Sequence, residues 1–485
     1  MINVKLIYKV IGSLLFIEAI MLAYCLAVSL YYREDDVFAF LVTIVVTVLA
    51  AIVMKYKGYQ AENSMGRREA YLLVTLTWVV FSALGALPFV ISGYLTSYTD
   101  AFFETMSGFT TTGATIIDDV EVLPHGLLFW RSLTHWIGGL GIVFFTIAVL
   151  PSLVGGSVKV FSAESTGPIK TKLHPRLSTN AKAIWAVYLV LTIGCAVCFY
   201  VFGMGIFDSI NYSMSIIATG GFSTHNISTA YFDSAAIDYT SIVFMLLSGT
   251  NFSLLYLVVI KGKIKAFFKD AEFRFYMVVV LISTLIIMYL LMSNNDYTVG
   301  KAFRNALFQV AAFITTTGIF NDDAGKWPHL TWIILSLCMV FGACAGSTSG
   351  GIKCIRCTIL LRIIRNEFKQ LLHPRAVLPV KLNGNIVPYQ GQATLFVLFT
   401  LYIIAVFFAY FTFTWLGVDS TNSMTIAISS ASNVGPTLGL EIGPTMSWSS
   451  LPDIGKWVCS ALMLMGRLEF FSVLVLFMPS FWKEN

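Results

Sequence analysis

Charge is what this chain has least of. Only 12% of its 485 residues are Asp, Glu, Lys or Arg, against the roughly 25% of an ordinary soluble domain. That shortage excludes a water-facing surface over most of the molecule. Its eight cysteines lie almost all inside apolar runs, which excludes a disulfide framework. The CxxC pairs Cys195/Cys198 and Cys354/Cys357 have no histidine close in sequence and read as small packing residues. There is no HExxH, no GxxxxGK[ST] and no GxSxG, and the six histidines sit mostly in loops. An enzyme, a resident cofactor and a nucleic-acid partner are therefore not expected, and no nucleotide site is visible.

What is present is apolar sequence. The chain is 57% hydrophobic with mean hydropathy +0.79, and it contains many runs near the roughly 20 residues that cross a bilayer core. An all-α polytopic membrane protein follows. Spans are expected near 8–30, 36–55, 70–94, 124–150, 178–203, 237–260, 273–293, 328–371 (broken), 392–416 and 454–478, about ten in all. The first follows Lys5 and Lys9 and lacks a small-x-small cleavage site, so an uncleaved span is preferred to a signal peptide. On this topology most Lys and Arg fall on one side, in 55–68, 159–182, 261–274 and 353–381. The positive-inside rule places both termini and these loops in the cytoplasm.

Four amphipathic stretches are too short to span: 98–109, 207–218, 299–313 and 420–432. Each is expected to be a re-entrant half-helix. A polar, glycine-bearing segment follows each one: TTTGAT, TGGFST, TTTGIF and SNVGPT. Their glycines Gly113, Gly221, Gly318 and Gly435 are separated by 108, 97 and 117 residues. The chain thus reads as four loose copies of span, half-helix, polar segment and span, giving fourfold pseudosymmetric repeats around one pore. The expected division is 1–69 (two extra helices), then repeats 70–155, 156–262, 263–380 and 381–485.

Backbone that leaves helical geometry inside a membrane must line water or be buried in protein. Four such segments satisfy one another around a common axis, where carbonyls replace the water around a dehydrated cation. Glycine takes the positive φ at the turning point at little cost, and threonine adds a hydroxyl without bulk. The filter residues expected on this basis are Thr111, Thr112, Gly113, Gly220, Gly221, Thr316, Thr317, Gly318, Asn433, Val434 and Gly435. Half-helix carbonyl ends aimed at the axis favour a cation there. Asp118, Asp119, Asp322 and Asp323 follow two of the segments, either as a cation-concentrating vestibule or as ordinary solvated loop charges.

Two places bear on closure. The run 342–351 (GACAGSTSGG) contains four glycines and no large side chain, so a continuous helix is not expected; close helix packing through small residues is the alternative. Arg467 lies about 15 Å into the last span. A cation at that depth faces an aqueous path or a partner, so a pore-facing barrier and an interhelical salt bridge both remain open. Glu18 in the first span is read as the other intramembrane charge, with an interface or lipid-facing role preferred to proton coupling.

The motifs resemble those of the Trk/Ktr/HKT superfamily of potassium transporters, within it the bacterial TrkH/TrkG type. The resemblance rests on the two extra N-terminal helices, TTTGAT, GGFSTH at 220–225, GSTSGGIK at 346–353, GRLE at 466–469 and the FW near the C-terminus, and covers essentially the whole chain. Ser349 departs from it, standing where such proteins often show glycine. The resemblance implies potassium uptake across a bacterial inner membrane. It also implies that the loop carrying Gly346, Ser347, Thr348, Ser349, Gly350 and Gly351 acts as a movable gate, beside which Arg467 is the candidate barrier. Because serine at the first filter glycine goes with sodium preference in this superfamily, Gly113 implies potassium. A homodimer and a cytoplasmic nucleotide-binding regulatory subunit of the TrkA type are implied as well, the latter docking on basic inner loops (Lys261, Lys263, Lys265, Arg362, Arg365) that also suit anionic lipid. A Na+- or H+-coupled secondary transporter is the competing function.

Overall fold

Long apolar runs free of internal proline become long helices, because the backbone has no other way to satisfy its polar groups in hydrocarbon. The computed structural model describes residues 2–61, 65–141, 177–259, 261–294, 297–440 and 442–483. Six helices in it are long and apolar enough to cross a bilayer: Val4–Tyr32, Val37–Lys57, Arg67–Ile91, Ala181–Val201, Ala271–Asn294 and Tyr389–Trp415. Their outward faces expose residues such as Ile193, Val197, Phe408 and Phe411, as lipid contact requires. The inner end of the expected 124–150 span and most of the basic stretch 159–182 lie outside the described residues.

Two of the expected spans are sharply bent, and the run expected to be broken is broken. The run at 237–260 is two helices, Ala235–Ser248 and Phe252–Val259, bent by 110°. The run at 454–478 breaks likewise, with Asp453–Arg467 and Phe471–Phe477 at 111°. Its joint holds Glu469 and Phe470 at positive φ, a conformation that hydropathy does not register. In the 328–371 run only His329–Phe341 is apolar; the inner helix Cys354–Leu372 carries Arg356, Arg362, Arg365 and Lys369. One strand pair, Lys381–Leu382 with Asn385–Ile386, qualifies the all-helical expectation. Its turn is Asn383-Gly384, both at positive φ, the two-residue hairpin signal that KLNGNI carries in plain sight.

The four short helices occupy Tyr98–Phe109, Ile206–Ala218, Val299–Ile314 and Ser420–Ser432. Around the first, one apolar patch joins the two N-terminal helices to the rest through Leu15, Leu22, Trp78, Phe81, Phe109 and Trp130. Gly12 lets the first two helices close: a Cβ there would stand 2.8 Å from the Ala51 carbonyl oxygen. Trp130 Nε1 donates to the Gly85 carbonyl at 3.0 Å, where the third helix is interrupted ahead of Pro88. Glu18 is fully buried near Gly85 rather than facing lipid, and its carboxylate oxygens have no hydrogen-bond partner among the described residues.

Candidate ion pathway

All four short helices end alike. Each is followed by a residue in the left-handed region: Thr111 (φ 54°), Thr219 (φ 55°), Thr316 (φ 58°) and Asn433 (φ 56°). The next N–H turns back to a carbonyl five residues earlier: Thr112 to Ser107 at 2.9 Å, Gly220 to Ser215 at 2.8 Å, Thr317 to Ala312 at 2.8 Å and Val434 to Ser429 at 3.1 Å. This is a Schellman-type cap, which uses up the carbonyl that the helix end would otherwise leave open. Two residues past each cap the chain turns positive again, at Gly113 (φ 81°), Gly221 (φ 95°), Gly318 (φ 73°) and Gly435 (φ 100°). The sequence places the glycines at the turn, and the structure adds three strained threonines. A β-branched residue pays about 1–3 kcal/mol for that conformation.

The four turns meet in a closed ring. A Cβ added to Gly113 would fall on the carbonyl oxygen of Gly220, one on Gly221 on that of Thr317, one on Gly318 on that of Val434, and one on Gly435 on that of Thr112. Each glycine therefore abuts the next segment's carbonyl, and the fourth returns to the first. Thr111, Thr112, Gly113, Gly220, Gly221, Thr316, Thr317, Gly318, Asn433, Val434 and Gly435 are all brought together. Where φ is positive and a neighbour's carbonyl occupies the space of a side chain, only glycine fits.

The hydroxyls divide the work differently from expectation. Thr112 and Thr317 are held by their neighbours Thr110 (2.9 Å) and Thr315 (2.7 Å). Those two also bond back to Met106 and Ala311 at 2.6 Å. Thr112 also accepts the Asn433 amide at 3.0 Å, and Thr111 and Thr316 receive Arg467 Nη1 at 3.1 Å and the Gly350 N–H at 2.7 Å.

Arg467 and Gly350 belong to the two regions singled out for closure. Helix His329–Phe341 ends at Gly342 (φ 58°), and the chain from there to Cys354 is unwound. Its Gly350 abuts the Ser432 carbonyl. Thr348 Oγ1 donates to the Ile217 carbonyl at 3.1 Å, and Gly346 packs on Asn251. Ser349 puts its hydroxyl to use, 2.8 Å from Ser347 and 3.2 Å from Lys353 Nζ. Arg467 donates to Thr348 O at 2.8 Å, to Gly139 O at 2.6 Å, and to Gly138 O. The loop and Arg467 together reach all four segments or the helices that end in them. Glu469 points away and pairs with Arg356, while Gly351 (φ 67°) closes the loop.

The four aspartates that follow the first and third segments are tied into their loops. Asp119 accepts the Glu121 N–H at 3.0 Å and the Asn226 amide at 2.7 Å. Asp322 accepts Tyr297 and Asn305 at 2.8 and 2.7 Å. Asp323 caps Gly325 at 3.0 Å, and Asp118 holds Ser447 and Ser449. Other charges went unmarked in the sequence: Glu104, Arg131, Glu272, Lys353, Arg356 and Lys456 are all buried. Arg467 and Glu18 are thus not the only charges at depth. Arg131 lies inside an expected span and was legible there as an intramembrane cation.

The described residues contain no group of three or more potential metal ligands among His, Cys, Asp and Glu, and all eight cysteines are free. A family model described as TrkH, cation transport protein, matches residues 37–484. The Trk system potassium uptake protein TrkH of Salmonella typhimurium is 37% identical over 461 residues, 94% of this chain and 95% of that one. The Trk system potassium uptake protein TrkG of Escherichia coli is 34% identical over 485 residues, 99% of each chain. The crystal structure of the potassium transporter TrkH from Vibrio parahaemolyticus matches with a TM-score of 0.89 at 34% identity, covering 99% of this chain and 100% of that one.

Proposed function

The chain belongs to the TrkH family of cation transport proteins, and we propose that it takes up potassium ions through a channel-like pore in a bacterial inner membrane. One observation carries this reading: four glycine turns, each abutting the next segment's carbonyl, form a closed ring inside an apolar protein. A ring of backbone oxygens on buried, self-capped turns is suited to a monovalent cation stripped of water. The ring has one glycine turn per segment, so the filter is short. Potassium as the cargo rests on the relatives, which are potassium uptake proteins, together with Gly113.

The four units 70–155, 156–262, 263–380 and 381–485 are then pseudosymmetric pore repeats, preceded by the two helices of 1–69. The 342–351 loop and Arg467 form the gate, a reading supported by their bonds to the ring threonines Thr316 and Thr111. A potassium ion about 6 Å from the guanidinium feels roughly 3 kcal/mol of repulsion at an effective dielectric of 20, about a hundredfold in occupancy. The basic loops face the cytoplasm with both termini and receive a regulatory subunit of the TrkA type, and two chains associate as a homodimer. The test is rubidium uptake by cells lacking their own potassium systems. Potassium and sodium permeability of the purified chain in liposomes is measured alongside it. Flux that vanishes without a sodium or proton gradient would replace the channel-like reading with a coupled one.

A further inference from the structure

Behind the corner where the first and second segments meet lies a buried polar cluster that ion passage alone does not call for. Glu104 sits on the first short helix, and Arg131 and His135 lie one turn apart on helix His125–Leu140. All three are at most 2% exposed. Arg131 Nε donates to Glu104 at 2.8 Å, Nη1 to the Ser223 carbonyl at 3.0 Å, and Nη2 to the Thr115 hydroxyl at 3.2 Å. Glu104 accepts the Thr115 hydroxyl at 3.0 Å and the Ile116 N–H at 3.0 Å. His135 Nδ1 lies 2.7 Å from the Gly108 carbonyl, and its Nε2 accepts the Phe222 N–H at 3.1 Å. The Phe222 ring lies 4.1 Å from both the guanidinium and the imidazole.

We infer that Arg131, His135 and Glu104 form a bracket that sets the geometry of this corner and so act as positioning residues for cation selectivity. Thr115 and Ile116 follow Gly113, and Phe222 and Ser223 follow Gly221, so one helix holds the outer ends of two adjacent segments. Positions i and i+4 share a helix face, which lets Arg131 and His135 grip Phe222 and Ser223 together. The bonding also assigns the imidazole its form. A carbonyl only accepts and an amide N–H only donates, so Nδ1 carries the proton and Nε2 is bare. A second proton would set N–H against N–H at Phe222. The ring is therefore a neutral spacer, and the Arg131 charge is matched by Glu104 rather than presented to the ion. Gly220 belongs to the same device, since a Cβ there would run into the His135 ring.

This inference rests on the proposed filter, and its test separates the two. Full-length protein in liposomes is assayed for potassium-to-sodium permeability as native chain, His135→Leu, Glu104→Gln and Gly113→Ser. His135→Leu removes both bonds at similar size, and Glu104→Gln keeps the shape but weakens the ion pair. The expected result is a permeability ratio reduced by at least about tenfold in His135→Leu and less in Glu104→Gln, with cation flux retained. His135→Gln, which restores a donor and an acceptor, recovers part of the ratio; a merely structural role would not return selectivity in proteins that already conduct. If Gly113→Ser shifts the ratio while conducting His135→Leu and Glu104→Gln proteins keep the native one, the bracket is overturned. If Gly113→Ser also leaves it native, the filter reading falls first. Should His135→Leu not fold, a native ratio in Glu104→Gln alone overturns the bracket.

Discussion

The ring of turns and the 342–351 loop are both glycine-bearing breaks in helical backbone at depth, yet they are held in opposite ways. Each turn is capped by its own helix, through bonds spanning three to five residues and repeated four times. The loop has bonds of its own, such as Cys354 N–H to Ala343 at 2.9 Å, but it depends also on distant parts of the chain. Cys344 N–H goes to Gly249 at 2.9 Å, and Phe252 N–H comes to Gly346 at 2.9 Å. The Glu272 carboxylate accepts Ala345 N–H at 2.6 Å and Ile355 N–H at 2.9 Å, and Arg467 donates to Thr348 O. Locally closed bonds survive motion of their surroundings. Bonds borrowed from side chains on other helices can be exchanged singly, which is what a movable element needs.

The comparison breaks most visibly at Arg467. Arg467→Ala removes both the cationic barrier and the tie between Thr111 and Thr348, so flux should rise by up to about a hundredfold. Unchanged rubidium flux in liposomes would remove this residue from the gate. Next comes Gly113→Ser, where the added atoms meet the Gly220 carbonyl. The potassium-to-sodium permeability ratio should drop about tenfold, and a native ratio means the ring does not select. Glu272→Gln leaves an acceptor oxygen but makes both loop bonds neutral. A rise of about threefold in flux is expected, with faster hydrogen exchange at Ala345 and unaltered exchange at Thr112. Equal changes at both amides would contradict the division between ring and loop. The smallest effect belongs to Asp118→Asn, because its carboxylate is engaged with Ser447 and Ser449. Single-residue neutralisation at an exposed site should alter flux by less than about twofold at 0.15 M salt, and a larger loss would restore these aspartates as a cation-gathering vestibule.

The short helices were legible almost to the residue, since amphipathic spacing and a glycine stop are local signals. The bends near Gly249 and after Arg467 were not, because both halves of each run are apolar and hydropathy carries no direction. The Asn383-Gly384 hairpin is legible in the sequence as KLNGNI. The left-handed threonines could not be anticipated: local preference disfavours them, and the Schellman bonds and neighbouring segments override it. Arg131 and His135 needed only the rule that polar groups at depth have partners, but the identity of those partners, 16 to 92 residues away, did not follow from it.

By itself the sequence determined four units of half-helix and glycine turn within a membrane-spanning chain, because capping, periodicity and burial of backbone act over a dozen residues. Only the tertiary structure decided that these turns close on one another in cyclic order, and that Thr111 and Thr316 receive Arg467 and Gly350. Contacts between residues tens to hundreds of positions apart are chosen by how helices pack, and helix packing leaves no local mark in the chain.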